Sequence, residues 1–308
     1  MKYKGEIGLL SVALIWGSGF VASDLALGAL TASQLMAIRF VIAAVFMGLV
    51  FRRQLRTIDR VTFRNGVILG IFLYTSFLAQ TLGLVYTTPA KNAFLTAINV
   101  IIVPFIGLML FRRQIDRFGV IGAFLAAAGV GLISLNLDGS VNIGDLLTIL
   151  CAVGFAFHIF MTGEFLRRGA DAIALTVLQL STAAVLAVVV AGLDQLAGFG
   201  EIKGGATMTV SLLAAVYLGV LSTGVAFLLQ TIAQQWTTQT RAAIILSTES
   251  VFGALLSALI LHEKLTLRTI IGSAIVFAAI ILAESQSARQ TRKSTAQDSL
   301  SVSNDSGF

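Results

Sequence analysis

Charge is the first thing this chain lacks. Only 12% of its 308 residues are Asp, Glu, Lys or Arg, against about 25% in soluble domains. So few charges cannot cover the water-facing surface of a soluble fold this long. The 57% share of hydrophobic residues and a mean hydropathy of +0.92 point the same way. Cysteine is nearly absent: Cys151 stands alone, which excludes an intramolecular disulfide and leaves the redox compartment unmarked. Histidine occurs twice. His262-Glu263 has no second His at zincin spacing, and no other metal-ligand cluster is visible, so no metal and no cofactor are expected. Gly198-Phe199-Gly200 lacks the full spacing of a phosphate loop, which leaves direct nucleotide drive without a motif. Proline occurs twice. Pro89 is placed to start a helix, and Pro104 is expected to kink one. The net charge of +6 does not imply nucleic acid, because the position of charges matters more than their sum in an apolar chain.

What the chain has is apolar runs. Ten are long enough for a helix to cross a bilayer: 7–24, 33–51, 66–86, 92–111, 119–136, 143–163, 173–193, 210–232, 242–261 and 269–284. Strands of this length would need a closed barrel to satisfy their backbones. The predicted class is therefore all-α integral membrane, with the lipid bilayer as its surroundings. The 21 Lys and Arg set the orientation. With the N-terminus inside, sixteen fall in inner segments, concentrated at Arg52, Arg53, Arg56, Arg60, Arg64, Arg112, Arg113 and Arg117. Four fall outside: Lys91, Lys203, Lys264 and Arg268. That bias predicts both termini in the cytoplasm. The N-terminus resembles a signal peptide in its basic start and apolar centre. It is read as an uncleaved first helix, because removing it would break the charge parity. The polar, Ser-rich tail, 286–308, is expected to be disordered.

The chain also repeats itself. FLAQTLGLVYTT (77–88) returns as FLLQTIAQQWTT (227–238), with six of twelve columns identical. The 150-residue offset continues without gaps from 89–117 to 239–267 and shrinks to about 140 earlier in the chain. The halves are 1–140 and 141–285, five spans each. Five is odd, so the second copy enters from the opposite side, and the two repeats are inverted, as in many secondary transporters. Thr87-Thr88 and Thr237-Thr238 are expected to be helix caps on opposite sides. The basic FRRQIDR (111–117) meets LHEKLTL (261–267) in the copy, as a switch of side requires.

Ten spans in two repeats, with the run LSTESVFGALLSALILHEKLTLRTIIGSAIVFAAIILAE (246–284), resemble the EamA-domain transporters of the drug/metabolite transporter superfamily. The matching features are Glu263 after an apolar helix, Lys264 with Arg268, and Gly272 opening the last helix. The first half departs from the pattern, with Arg113 where the Glu would stand. The resemblance covers about residues 5–285. It implies a plasma-membrane, multi-pass transporter of the inner-membrane type, similar to exporters of amino acids and other small metabolites, with some importers. A membrane-embedded enzyme would need clustered acids or a nucleophile with its base. A non-transporting sensor would not require an inverted repeat. Monomer and homodimer are both compatible with the sequence.

Polar side chains within spans are the site candidates, since an ionised group at a helix centre costs roughly 2.5–3.5 kcal/mol. Glu249 would hold a cationic group of the substrate or carry a proton; the alternative is a neutral Glu bonded to a neighbouring helix. Arg39 would hold a substrate carboxylate, pair with Asp24, or snorkel. His158 is a proton-relay candidate or a satisfied hydrogen-bonder. Trp16 precedes Gly17-Ser18-Gly19, which reads as an interruption of the first helix or as a close-packing surface. Asn99 is the repeat partner of Glu249, Gln80 that of Gln230, and Tyr86 that of Trp236; these six complete the pathway candidates.

Overall fold

The computed structural model describes residues 4–112, 117–134 and 142–262, with 266–268, 270–272, 274–275, 278–279 and 282. Among these residues every regular element is helical. The chain runs through α1 (Lys4–Leu27), α2 (Ala32–Val50), α3 (Arg60–Val85), α4 (Pro89–Thr96), α5 (Asn99–Phe111) and α6 (Arg117–Ser134). It continues through α7 (Ile143–Arg167), α8 (Ala172–Ala197), α9 (Met208–Tyr217), a π-helical stretch (Leu218–Val225), α10 (Ala226–Ala233), α11 (Gln239–Leu246) and α12 (Glu249–Ile260). Eight stretches are long and apolar enough to cross a membrane, with α4–α5, α9–α10 and α11–α12 each acting as one. In α6 the apolar part is shorter, Val120–Gly129. The tenth run is helical at its described residues between 267 and 282. Glu263, Lys264, Arg113 and the tail lie outside the described residues.

Helix starts are written in the sequence. Thr31 with Gln34, and Asn142 with Asp145, form capping boxes on α2 and α7. Asp59 accepts from Val61 and Thr62 at the start of α3. The expected threonine caps are Thr88 and Thr238, each accepting from the N–H three residues on at 3.4 Å. Gly66 and Gly70 bring α3 against Leu178 and Thr182 of α8, as small residues in a span allow.

The helices can be ordered by their ends. Lys203, in the connection before α9, donates to Asp24 at 2.6 Å and to the carbonyls of Leu84 and Thr87 at 3.0 and 3.1 Å. Beside it Lys91 donates to Asp145 at 2.8 Å, and Asn142 to the Tyr86 carbonyl at 3.2 Å. Thus α1 and α3 finish at the end where α4 and α7 begin. At the other end Gly5, starting α1, lies against Ala233 and Trp236. The Met208–Trp236 span therefore finishes where α1 begins, and it runs opposite to α3.

One sequence expectation is corrected and two open alternatives are decided. Of the two readings of Trp16-Gly17-Ser18-Gly19, the interruption is absent and the first helix is unbroken. Its small residues serve close approach instead: a Cβ on Gly17 would lie 2.5 Å from Phe252 Cβ and 3.0 Å from the Glu249 carbonyl. Pro104 sits inside α5, and the break in that span is at Ala97–Ile98. The copy breaks at Ser247–Thr248 with no proline nearby, so proline is not the cause. Asp24 pairs with Lys203 at the helix end and not with Arg39, which lies deeper in α2.

Candidate functional site

The two broken spans build the centre. At each break ψ falls to between −10° and −21°, and the backbone switches to tighter i→i+3 bonds. Ile98 donates to Leu95 and Val100 to Ala97; Thr248 donates to Ile245 and Ser250 to Ser247. The bond pattern is repeated at an offset of 150 residues. In the second copy the hydroxyls of Ser247, Thr248 and Ser250 also bond carbonyls three residues back. Each second half-helix begins with a polar residue, Asn99 in one and Glu249 in the other. The spans touch beside the breaks, where Ala97 packs with Val251 and Ala254.

A π-helical turn places two more side chains. Ala226 N–H bonds the carbonyls of Leu221 and Thr223, leaving that of Ser222 outside the α-helical pattern. The Trp16 indole N–H takes it, at 2.9 Å. One residue on, Thr223 Oγ1 accepts from Arg39 Nε at 2.9 Å. A Cβ on Gly219 would lie 3.0 Å from the Arg39 carbonyl, so glycine lets the turn approach α2 this closely. The Arg39 guanidinium lies over Phe77, 4.1 Å from the ring centroid. Among the described residues Arg39 has no carboxylate partner, and it is only 2% exposed.

These groups converge on one cavity, with about 520 Å³ of space free of atoms when its open side is included. Trp16, Arg39, Gln80, Asn99, His158, Gln230 and Glu249 all line it. Glu249 is 5% exposed and makes no ion pair or hydrogen bond among the described residues. Asn99 Oδ1 is buried without a partner, as are both amide atoms of Gln230. Gln80 is tied down, its Nε2 donating to Thr96 at 2.9 Å. His158 Nε2 lies 2.6 Å from Gln179 Oε1 and donates to it; Nδ1 is left buried and unpartnered.

Two sequence candidates lie elsewhere. Tyr86 and Trp236, 45% and 56% exposed, sit at opposite ends of the bundle outside the cavity lining. The Glu201 carboxylate beside Tyr86 holds its phenol above the usual range. Sequence reading missed Phe77, Phe155, Ser222 and Thr223. Phe77 carried a signal, since it opens the repeated motif; it meets its repeat partner Phe227 at a ring-centroid distance of 5.8 Å. Ser222 and Thr223 carried none, because the π-helical turn that presents them has no marker beyond the glycines around it.

The EamA-like transporter family matches the chain over residues 3–135 and 142–284. A protein described as an uncharacterized transporter, from Archaeoglobus fulgidus, is 32% identical over 281 residues, covering 91% of this chain and 86% of that protein. The uncharacterized transporter YoaV of Bacillus subtilis is 22% identical over 287 residues, covering 91% and 96%. A solved crystal structure shares the fold at a TM-score of 0.72 with 18% identity, over 94% of this chain and 99% of that one.

Proposed function

The chain belongs to the EamA-like transporter family, and from that premise we propose that it is a secondary transporter exporting small zwitterionic metabolites such as amino acids. The observation that carries this reading is the pairing of charges around one cavity. Arg39 and Glu249 are both buried, line the same space, and among the described residues have no ion-pair partner of opposite sign. Isolated charges inside spans are costly. A substrate with a carboxylate for Arg39 and an ammonium for Glu249 would complete both. Trp16, Phe77 and Phe155 supply apolar wall for its side chain.

The mechanism we propose is alternating access between two inverted five-span repeats in the inner membrane, with both termini cytoplasmic. Three features support it. α3 and its repeat partner finish at opposite ends of the bundle. The breaks recur at a 150-residue offset. Packing is reciprocal: α4 meets α12 as α11 meets α5, and α3 meets α8 as the π-helical stretch meets α2. Elements related by a two-fold axis exchange contacts in this way. Glu249 is the residue we assign to proton coupling. Export is the direction favoured by the family resemblance.

The test is flux through purified protein in liposomes, with a panel of amino acids, amines and carboxylates, with and without a pH gradient. Zwitterions should move fastest, and a gradient should drive them. No flux across the panel would remove the transporter reading.

A further inference from the structure

The polar atoms left open in the cavity are unevenly matched. Glu249 offers carboxylate oxygens, Asn99 an amide oxygen, and His158 a bare ring nitrogen once Nε2 is committed to Gln179. Asn99 and His158 are 4% and 0% exposed, so water does not serve these atoms freely. All three are hydrogen-bond acceptors on the wall of one cavity. Asn99 and Glu249 reach it from different halves of the chain, each as the first residue after a break, where the two spans pack together.

A ligand that answers three acceptors, one of them anionic, needs positive charge and hydrogen-bond donors. A primary ammonium has both. A fully methylated ammonium has the charge and no donors. An alkali ion suits the oxygens of Asn99 and Glu249 but not a ring nitrogen. We propose that Asn99, with Glu249 and His158 Nδ1, forms a primary-ammonium subsite, and that Asn99 selects a primary over a fully methylated ammonium. This deepens the assignment of Glu249 to the substrate and rests on it. Glu249 supplies the charge, which both ligands satisfy. Asn99 supplies a neutral acceptor, which only a donor satisfies, so selection falls on Asn99. A site built to hydrogen-bond a donor rejects the analogue lacking it, because its buried acceptor is then left unpaired.

The test is binding, so it stands apart from flux. The chain has two tryptophans, and Trp236→Phe leaves Trp16, on the cavity wall, as the only fluorescent reporter. The full chain in lipid nanodiscs is titrated with n-butylammonium, n-butyltrimethylammonium and sodium chloride. Butylammonium should perturb Trp16 emission saturably, and the trimethyl compound should bind about tenfold or more weakly. Asn99→Leu should weaken butylammonium by about tenfold and leave the trimethyl compound unchanged, so that the preference collapses. Asn99→Gln keeps a neutral amide acceptor and should keep the preference; it also guards against loss of fold in the leucine variant. Glu249→Gln should weaken both amines. Equal binding of the two amines by the wild type would overturn the proposal, and so would a preference that survives Asn99→Leu. Saturable perturbation of Trp16 emission by sodium without amine binding would reassign the subsite to an alkali ion and overturn it too. Amine binding with no flux of any metabolite would leave this subsite standing while removing the transporter reading.

Discussion

Arg39 shows how a single side chain is held for use. Its Nε is fixed by Thr223 and its plane by Phe77, while the rest of the guanidinium fork meets no acid among the described residues. A planar fork suits a carboxylate in a way an ammonium cannot. Arg39→Lys should therefore raise the KM for a zwitterionic substrate by about tenfold or more, read by counterflow in proteoliposomes. Binding of n-butylammonium, which has no carboxylate, should change by less than about twofold, on the view that the two charges act separately. At this scale the sequence was readable where a polar residue interrupts an apolar run. Glu249, Arg39 and His158 stand out because their cost in lipid is plain. Tyr86 and Trp236 became candidates as the aromatic pair of the repeated motif, although they fall at or beyond the ends of their apolar runs and so at the ends of the bundle. Arg39 could not be paired correctly from sequence, since Lys203 reaches Asp24 from a connection far along the chain.

Two broken helices and one π-helical turn do the positioning at the scale of elements. None of the three is marked by proline. Ala97–Ile98 and Ser247–Thr248 share no residue type, yet they carry the same tightened bonds. At the second break the hydroxyls of Ser247, Thr248 and Ser250 compete for carbonyls three residues back, a local device the first break lacks. In helix one the glycines left a break and close packing open, and they answer the need for contact, Gly17 with α12 and Gly19 with the π-helical stretch. That contact gives a prediction. Gly17→Ala should push α1 off Phe252 beside Glu249, costing about 1–3 kcal/mol as overpacking does. The unfolding midpoint in detergent should fall by several degrees, and transport should fall with it. Gly48→Ala is the control, because a Cβ there meets nothing within 4 Å; it should unfold no earlier than the wild type. What the sequence did show at this scale was helix starts, because Thr88 and Thr238 cap by local chemistry.

For the whole molecule, charge placement and an odd number of spans per repeat predict orientation without any knowledge of packing. That reading puts the Lys203 end outside and the Arg168 end inside. Cys151 is fully buried and serves as a silent background for labelling. Glu201→Cys should react with a membrane-impermeant maleimide in intact cells, whereas Arg53→Cys should react only after permeabilisation. Labelling of both from outside would refute the inverted arrangement. The bundle was legible in advance because bilayer thickness and the cost of lipid-exposed backbone leave few choices. The cavity was less so, because it depends on which faces of the crossing spans meet. The central claim is that this cavity moves a molecule carrying both charges, holding the carboxylate at Arg39 and the ammonium at Glu249. Its most direct measurement is counterflow of a labelled amino acid in proteoliposomes, competed by the amide lacking the carboxylate and the acid lacking the amine. The account predicts that wild type is inhibited best by the intact amino acid, that Arg39→Ala no longer distinguishes it from the amide, and that Glu249→Gln no longer distinguishes it from the deaminated acid. If both variants retained the wild-type order of inhibition, the two charges would not be the substrate's partners and the account would be contradicted.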